Sequence, residues 1–362
     1  MDVVIRLDAL RAKLRETGTD AFVARSVSNL RYLTGFDGVW DTEPSSLILV
    51  TATEALVITD SRFRDAATQA ADDGPLEVRV AQADPWEFVS EALGANDLQR
   101  VAVESSLPYS VVERVRKVLS AEVTPVDDWV ESLRAAKDAD EIARTVAAQE
   151  LTDDAFDHIL GLVSEGMSEI RIALELEFHM RSAGSEGVAF SPIVASGPNS
   201  ALPHAQPGER LVRRGDFLKM DFGARVGGYC ADMTRTVVIG PASDQQREIY
   251  DAVRAANQAG IEAVSAGKTG MEIDAVARAV ITERGFGTRF GHGLGHGVGL
   301  DIHEAPSVGP RGANTLAAGS VITIEPGIYI PGFGGVRIED LVVVEDGGAR
   351  VLTRSTKDLI EL

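Results

Sequence analysis

The chain has one cysteine, Cys230, in 362 residues, which excludes a disulfide within the chain and a cysteine-based zinc site. Set between Tyr229 and Ala231-Asp232 in a strand pattern, this thiol reads as packing. Long apolar runs are also missing, since none reaches the roughly 18 residues a membrane span needs. The N-terminal MDVVIRLDALRAKLRETG carries Arg and Asp among its apolar positions, so neither a signal peptide nor an anchor is expected there, and a cytoplasmic location is. Positive charge is scarce: 35 Lys and Arg face 55 Asp and Glu, for a net charge of −20 and a pI near 4.7. Nucleic acid and anionic membrane surfaces would be repelled and are excluded as partners. The glycine-rich stretch 290–299 lacks a Walker lysine and a true GxGxxG, which argues against a nucleotide site. Repeats and low-complexity segments are absent.

With 44% hydrophobic and 25% charged residues, the chain reads as a soluble globular protein long enough for two domains. Its first third alternates helix and strand patterns, as in an α/β domain. An amphipathic helix over Ile5 to Glu16 is stopped by Gly18, Ala21 to Ala24 forms a strand, and SSLILV, EALVIT and RVAVE supply others. Asp84-Pro85-Trp86-Glu87 starts a helix running to Leu93, and another covers Ser110 to Leu119. Pro125 and Asp127-Asp128 mark a linker, giving a domain over 1–126, a linker over 127–137 and a second domain over 138–362. In the second domain Asp138, Ser168, Ser243 and Thr269 are set as helix caps, the last two as capping boxes with Gln246 and Glu272. FLKMDFGARVGGYCADMTRTVVI reads as a hairpin turning at Val226-Gly227-Gly228, with Asp221 and Asp232 on neighbouring antiparallel strands. SVITIEPGIYI and GGVRIEDLVVVED read as two more strands. Helices outside an antiparallel sheet make this domain α+β.

Four acidic residues and one histidine sit in these apolar or glycine-rich stretches: Asp221, Asp232, Glu325, Glu339 and His296. Buried carboxylates are costly to desolvate unless paired or bound to a cation. One divalent ion would not balance four of them. Oxygen-rich ligation with a single imidazole suits manganese, cobalt or zinc, and bridging-capable carboxylates suit two ions about 3.5–4 Å apart. Such a pair lowers the pKa of a shared water and makes a hydroxide nucleophile, which points to a hydrolase. Arg337 lies two residues before Glu339 on one strand face, where its guanidinium would orient an acidic ligand. Thr234 shares a face with Asp232 in the same way.

DFGA…GYCADMTRT, FGHGLGHGVGLDIHE, ITIEPGIYI and GGVRIED together resemble the Xaa-Pro peptidases, prolidase and aminopeptidase P, of the pita-bread metallopeptidase family. SNLRYLTGF resembles that family's creatinase-like N-terminal domain, so the likeness covers most of the chain. It implies a C-terminal pita-bread catalytic domain behind a smaller α/β N-terminal domain. It also implies two divalent metal ions per subunit, with manganese first and cobalt, zinc or iron tolerated. Carried over, Asp221 would bind one metal through both oxygens, Asp232 and Glu339 would bridge the pair, and His296 with Glu325 would complete the other. Glu325 would also move a proton from the nucleophile to the leaving imide nitrogen. His204 would face the substrate and stabilise the transition state. His303 would contact the scissile carbonyl or the residue after it, with His292 lining the same pocket. Arg337 and Phe190 join the substrate-binding set, and Tyr229 is a further pocket-lining candidate.

The implied substrates are short peptides with proline in second position, since an imide nitrogen without hydrogen defeats ordinary peptidases. Arg311 is one cation that could meet a dipeptide's carboxylate, an exposed loop arginine being its other reading. The acidic stretch Asp37–Glu43 with Trp40 corresponds to a region that can reach a neighbouring active site, which implies a homodimer. Other readings are a metalloaminopeptidase without proline preference, a creatinase-type amidinohydrolase, and a catalytically silent binding module.

Overall fold

The computed structural model describes residues 2–40, 45–72, 74–82 and 84–362. The chain divides into two compact units after Arg134. The segment 127–137, expected as a linker, carries the short helix Glu131–Arg134, so the division falls within it. Arg134 is buried and donates to Asn29 Oδ1 at 2.8 Å, which ties this helix into the first unit.

In the first unit, six strands form one sheet: β1 (Ala21–Ala24), β2 (Leu47–Thr51), β3 (Ala55–Thr59), β4 (Glu77–Val80), β5 (Arg100–Glu104) and β6 (Glu122–Val126), in the order β4-β3-β2-β1-β5-β6. Pro125 lies in the edge strand β6, where a missing N–H breaks no ladder. The first helix, Val3–Thr17, ends at Gly18 in the left-handed region (φ 64°). Trp40 does not point to an outside pocket: it is buried, its indole donates to Thr34 Oγ1 at 3.3 Å, and its ring stacks on Phe36. Asp41, Thr42 and Glu43, included in the acidic stretch read from the sequence, lie outside the described residues.

The second unit places helices against strands. Ala139–Leu160 and Glu169–Ser182 cover β8 (Ile193–Ser196), β9 (Phe217–Phe222) and β12 (Met233–Val238), with Phe156, Leu176 and Met220 in the shared core. Asp244–Ala263 and Gly270–Glu283 close a second core over β15 (Val321–Ile324), β16 (Gly327–Ile330), β17 (Gly334–Arg337) and β18 (Asp340–Glu345). Asp138, Ser243 and Thr269 form capping boxes with Glu141, Gln246 and Glu272, and Ser168 caps Glu169–Ser182. The remaining strands are β7 (Gly187–Val188), β10 (Ala224–Val226), β11 (Tyr229–Cys230), β13 (Gly295–Gly297), β14 (Glu304–Val308) and β19 (Gly348–Val351). They pair as β11-β10-β7 and β14-β13-β15-β18-β19. Among the described residues no helix is long and apolar enough to cross a membrane.

The hairpin after β9 has two tiers. β10 and β11 turn at Gly227-Gly228, while β9 pairs with β12 so that Asp221 faces Thr234. Gly223 makes the step between tiers, because a Cβ there would lie 1.8 Å from the Ala231 carbonyl oxygen. Asp232 therefore falls in the break between β11 and β12, not on a strand. The two long strands expected around Glu325 and Glu339 are likewise four. Glu325 separates β15 from β16, and Glu339 separates β17 from β18. Pro326 has no N–H to continue the ladder past Glu325, and the chain passes there from the five-stranded sheet to the β16-β17 pair.

Candidate metal centre

Three of the four acidic residues are thus at points where a strand leaves one sheet for another, and these points converge on a cleft of about 460 Å³. Asp221, Asp232, Glu325, Glu339, His204, His292, His296, His303, Phe190 and Arg337 all line it. Arg311 is exposed and does not. Tyr229 also lies elsewhere, buried with its hydroxyl 2.6 Å from Glu141 Oε1.

The ligand-type atoms of Asp232, His296 and Glu339 lie within 4.8 Å of one another. His296 is held on β13 by its neighbours' lack of side chains, since a Cβ on Gly295 would meet the Thr323 carbonyl oxygen at 2.0 Å. Its Nδ1 is 3.1 Å from the Gly297 carbonyl, which can only accept, so Nδ1 carries the hydrogen and Nε2 presents a lone pair. That Nε2 sits 3.4 Å from Glu325 Oε1 and 3.6 Å from Asp232 Oδ2. Burial, then nearby His303, pulls this imidazole down to about 4, so it is neutral at ordinary pH. A lone pair facing two carboxylates is repulsive unless a cation lies among them.

The carboxylates point the same way. Burial, then Glu339, Asp221 and Glu325, holds Asp232 well above the ordinary carboxylate range. Burial, then Glu325 and Asp221, does the same to Glu339, and burial pushes Glu325 up to about 7. Asp221 Oδ1 is buried without a hydrogen-bond partner. Four clustered carboxylates, a neutral imidazole offering a lone pair and an orphaned acceptor fit divalent metal.

Arg337 organises this cluster. One of its Nη atoms donates to Asp221 Oδ2. Its Nε donates to Thr234 Oγ1 at 2.9 Å, and Thr234 donates onward to Glu339 Oε2 at 2.7 Å. Its Nη1 reaches the Tyr329 hydroxyl at 3.0 Å and the Pro203 carbonyl at 3.2 Å. Tyr329 in turn bonds His292 Nε2 at 2.9 Å, while His292 Nδ1 meets the Gly293 carbonyl at 2.7 Å. The Arg337 guanidinium is thus engaged by protein groups, which suits the orienting role read from its strand position better than the substrate-binding one also expected. His303 is exposed, with its ring centroid 4.3 Å from that of His296, and His204 is exposed on the segment after β8.

Two residues of this network escaped the sequence reading. Tyr329 bridges Arg337 and His292. Lys219, fully buried on β9, donates to the Leu202 and Pro203 carbonyls at 2.6 and 3.2 Å. Burial, with Arg337 nearby, pulls its amine down to about 6. The available signal was a lysine inside the apolar strand FLKMDF, two positions from Asp221 and so on its face.

Residues 143–346 match the model of metallopeptidase family M24. The chain belongs to that family. Residues 6–136 match the creatinase/prolidase N-terminal domain, so the M24 catalytic unit here carries the N-terminal companion expected from SNLRYLTGF. The chain is 36% identical over 359 residues to the Xaa-Pro dipeptidase of Pyrococcus furiosus, covering 98% of this chain and 99% of that one. The structure of an Xaa-Pro dipeptidase from Bacillus anthracis is similar at a TM-score of 0.95 and 39% identity over 100% of both chains. That of an X-Pro aminopeptidase from Thermotoga maritima is similar at a TM-score of 0.87 and 37% identity, covering 95% of this chain and 98% of that one. The pita-bread fold and the metallopeptidase activity expected from the sequence follow from this membership.

Proposed function

We propose that this M24 metallopeptidase hydrolyses the bond between an N-terminal residue and proline, in dipeptides or short peptides. The observation that carries the reading is the convergence of Asp221, Asp232, His296, Glu325 and Glu339 in one cleft beside three further histidines. Similarity to enzymes named Xaa-Pro dipeptidase and X-Pro aminopeptidase supports the proline preference. Those five side chains would hold two divalent ions, manganese first, with cobalt, zinc or iron tolerated because oxygen and imidazole donors accept all four. Metal bound there would activate water and polarise the scissile carbonyl.

Around it, the chain's own groups divide the work. Glu325 takes the proton released by water and returns it to the imide nitrogen, which has no hydrogen of its own and must be protonated to leave. His204 and His303, on the open side of the cleft, donate to the oxygen that gains charge in the transition state. His292 and Phe190 shape the pocket for the proline ring, and Arg337 fixes Asp221 through a charge-assisted hydrogen bond. A homodimer in the cytoplasm is the proposed setting, and the single free, buried cysteine fits a reducing compartment.

The test is release of free alanine from Ala-Pro, Ala-Ala and Ala-Pro-Ala by metal-stripped protein with and without Mn(II). Manganese-dependent cleavage of Ala-Pro or Ala-Pro-Ala over Ala-Ala is the expected result, and the ratio between the first two assigns dipeptidase or aminopeptidase. Equal cleavage of Ala-Ala would overturn the proline preference, and no cleavage of any would favour an amidinohydrolase or a binding module.

A further inference from the structure

His204 sits on a segment with little structure of its own. The 3₁₀ turn Gly197–Ala201 ends just before it, and the residues 203–209 that follow belong to no helix or strand. A histidine on such a segment is held in place only if something fixes the backbone that precedes it. Lys219 does this from below. Its Nζ donates to the carbonyls of both Leu202 and Pro203, the two residues immediately before His204. The Pro203 carbonyl takes a second donor from Arg337 Nη1, so it is held between two donor side chains. Lys219 Nζ also lies 5.2 Å from the centroid of the Tyr329 ring, the ring whose hydroxyl joins Arg337 to His292.

A fully buried amine is costly unless its hydrogens are taken up, and a methionine of matching length would fill the same space without bonding either carbonyl. Packing alone therefore does not account for a lysine here. β9 carries Asp221 two residues on, on the same face, so one rigid strand sets both a carboxylate of the metal cluster and the strut beneath the His204 segment.

We propose that Lys219 is a positioning residue for His204: by holding the Leu202 and Pro203 carbonyls it fixes the imidazole at the mouth of the cleft. This rests on the role given to His204 above. Misplacing a group that acts only in the transition state lowers turnover with little effect on substrate binding, by about 100-fold for roughly 1 Å.

The experiment is a double-mutant cycle on the manganese-loaded full-length protein with Ala-Pro-Ala and Ala-Pro, using Lys219→Met, His204→Ala and the pair, with bound metal measured for each. Expected is a kcat loss of about 10- to 100-fold for K219M, KM and metal content near wild type, and almost no further loss when K219M is added to H204A. The same fold-loss in both backgrounds, or metal loss in K219M, would overturn the proposal. Lys219→Gln, which keeps an amide donor, is expected to retain more activity than methionine and serves in the same cycle if K219M does not fold. In the metal-free protein, labelling histidine at 13Cε1 gives a readout that survives failure of the substrate assignment. The resonance missing from H204A should move in the lysine variants while those of distant His158 and His179 stay, and an unmoved His204 resonance would refute the strut.

Discussion

Arg337 holds Asp221 by one carboxylate oxygen and leaves the other, Oδ1, buried with no hydrogen-bond partner. An acceptor prepared in this way is oriented for a ligand, and the same guanidinium reaches Glu339 through Thr234. Arg337→Met should therefore weaken metal binding or activity by about 10- to 100-fold while the chain stays folded. The manganese concentration giving half-maximal peptide cleavage checks this, and an unchanged midpoint with unchanged turnover would remove Arg337 from the site.

Glu325 predicts a pH effect on the metal-free protein. Burial raises it from 4.5 to about 7, so the folded state binds its proton more tightly than the unfolded chain does. The stability this gives is complete below about 4.5 and is lost as pH rises through about 7. Glu325→Gln, a mimic of the protonated acid, should match metal-stripped wild type at low pH and melt above it from neutral pH upward. Saturating manganese should reverse that order, because the wild-type carboxylate gains its cation. Melting curves across the pH range decide it; curves that never separate would mean that Glu325 is not desolvated as described.

Much of this site could be read from sequence spacing, and what could not was hidden for physical reasons. The five acidic and imidazole positions stood out because charged residues in apolar runs need a reason to be there. Their placement at strand breaks did not, because strand-forming residues flank Glu325 and Glu339 on both sides while the backbone changes sheets at these two positions. Alternation reports which face a residue uses, not which neighbour its strand has. Pro326 was the local sign of a break. Helix starts at Asp138, Ser243 and Thr269 were legible because a cap is a contact between residues three apart. The Tyr329–His292 and Lys219–Pro203 contacts join distant segments, so the lysine in FLKMDF could be noticed but its partners could not.

Cys230 is buried, and burial pushes its thiol up to about 11. The thiolate is the reactive form, so the native protein should not react with Ellman's reagent near pH 8 and the denatured protein should release one equivalent. A native thiol that reacts at the rate of a free cysteine would contradict the packing around β11.

On the proposed reading, Asp221, Asp232, His296, Glu325 and Glu339 together hold the metal that does the chemistry. The most direct measurement is bound manganese per chain, by equilibrium dialysis and elemental analysis, for wild type and Glu339→Ala, with alanine release from Ala-Pro or Ala-Pro-Ala followed on the same samples. Expected are two ions per wild-type chain, fewer than two in the variant, and activity abolished with the lost metal. A variant that keeps both ions and most of its activity, or a wild-type protein that cleaves without metal, would contradict it.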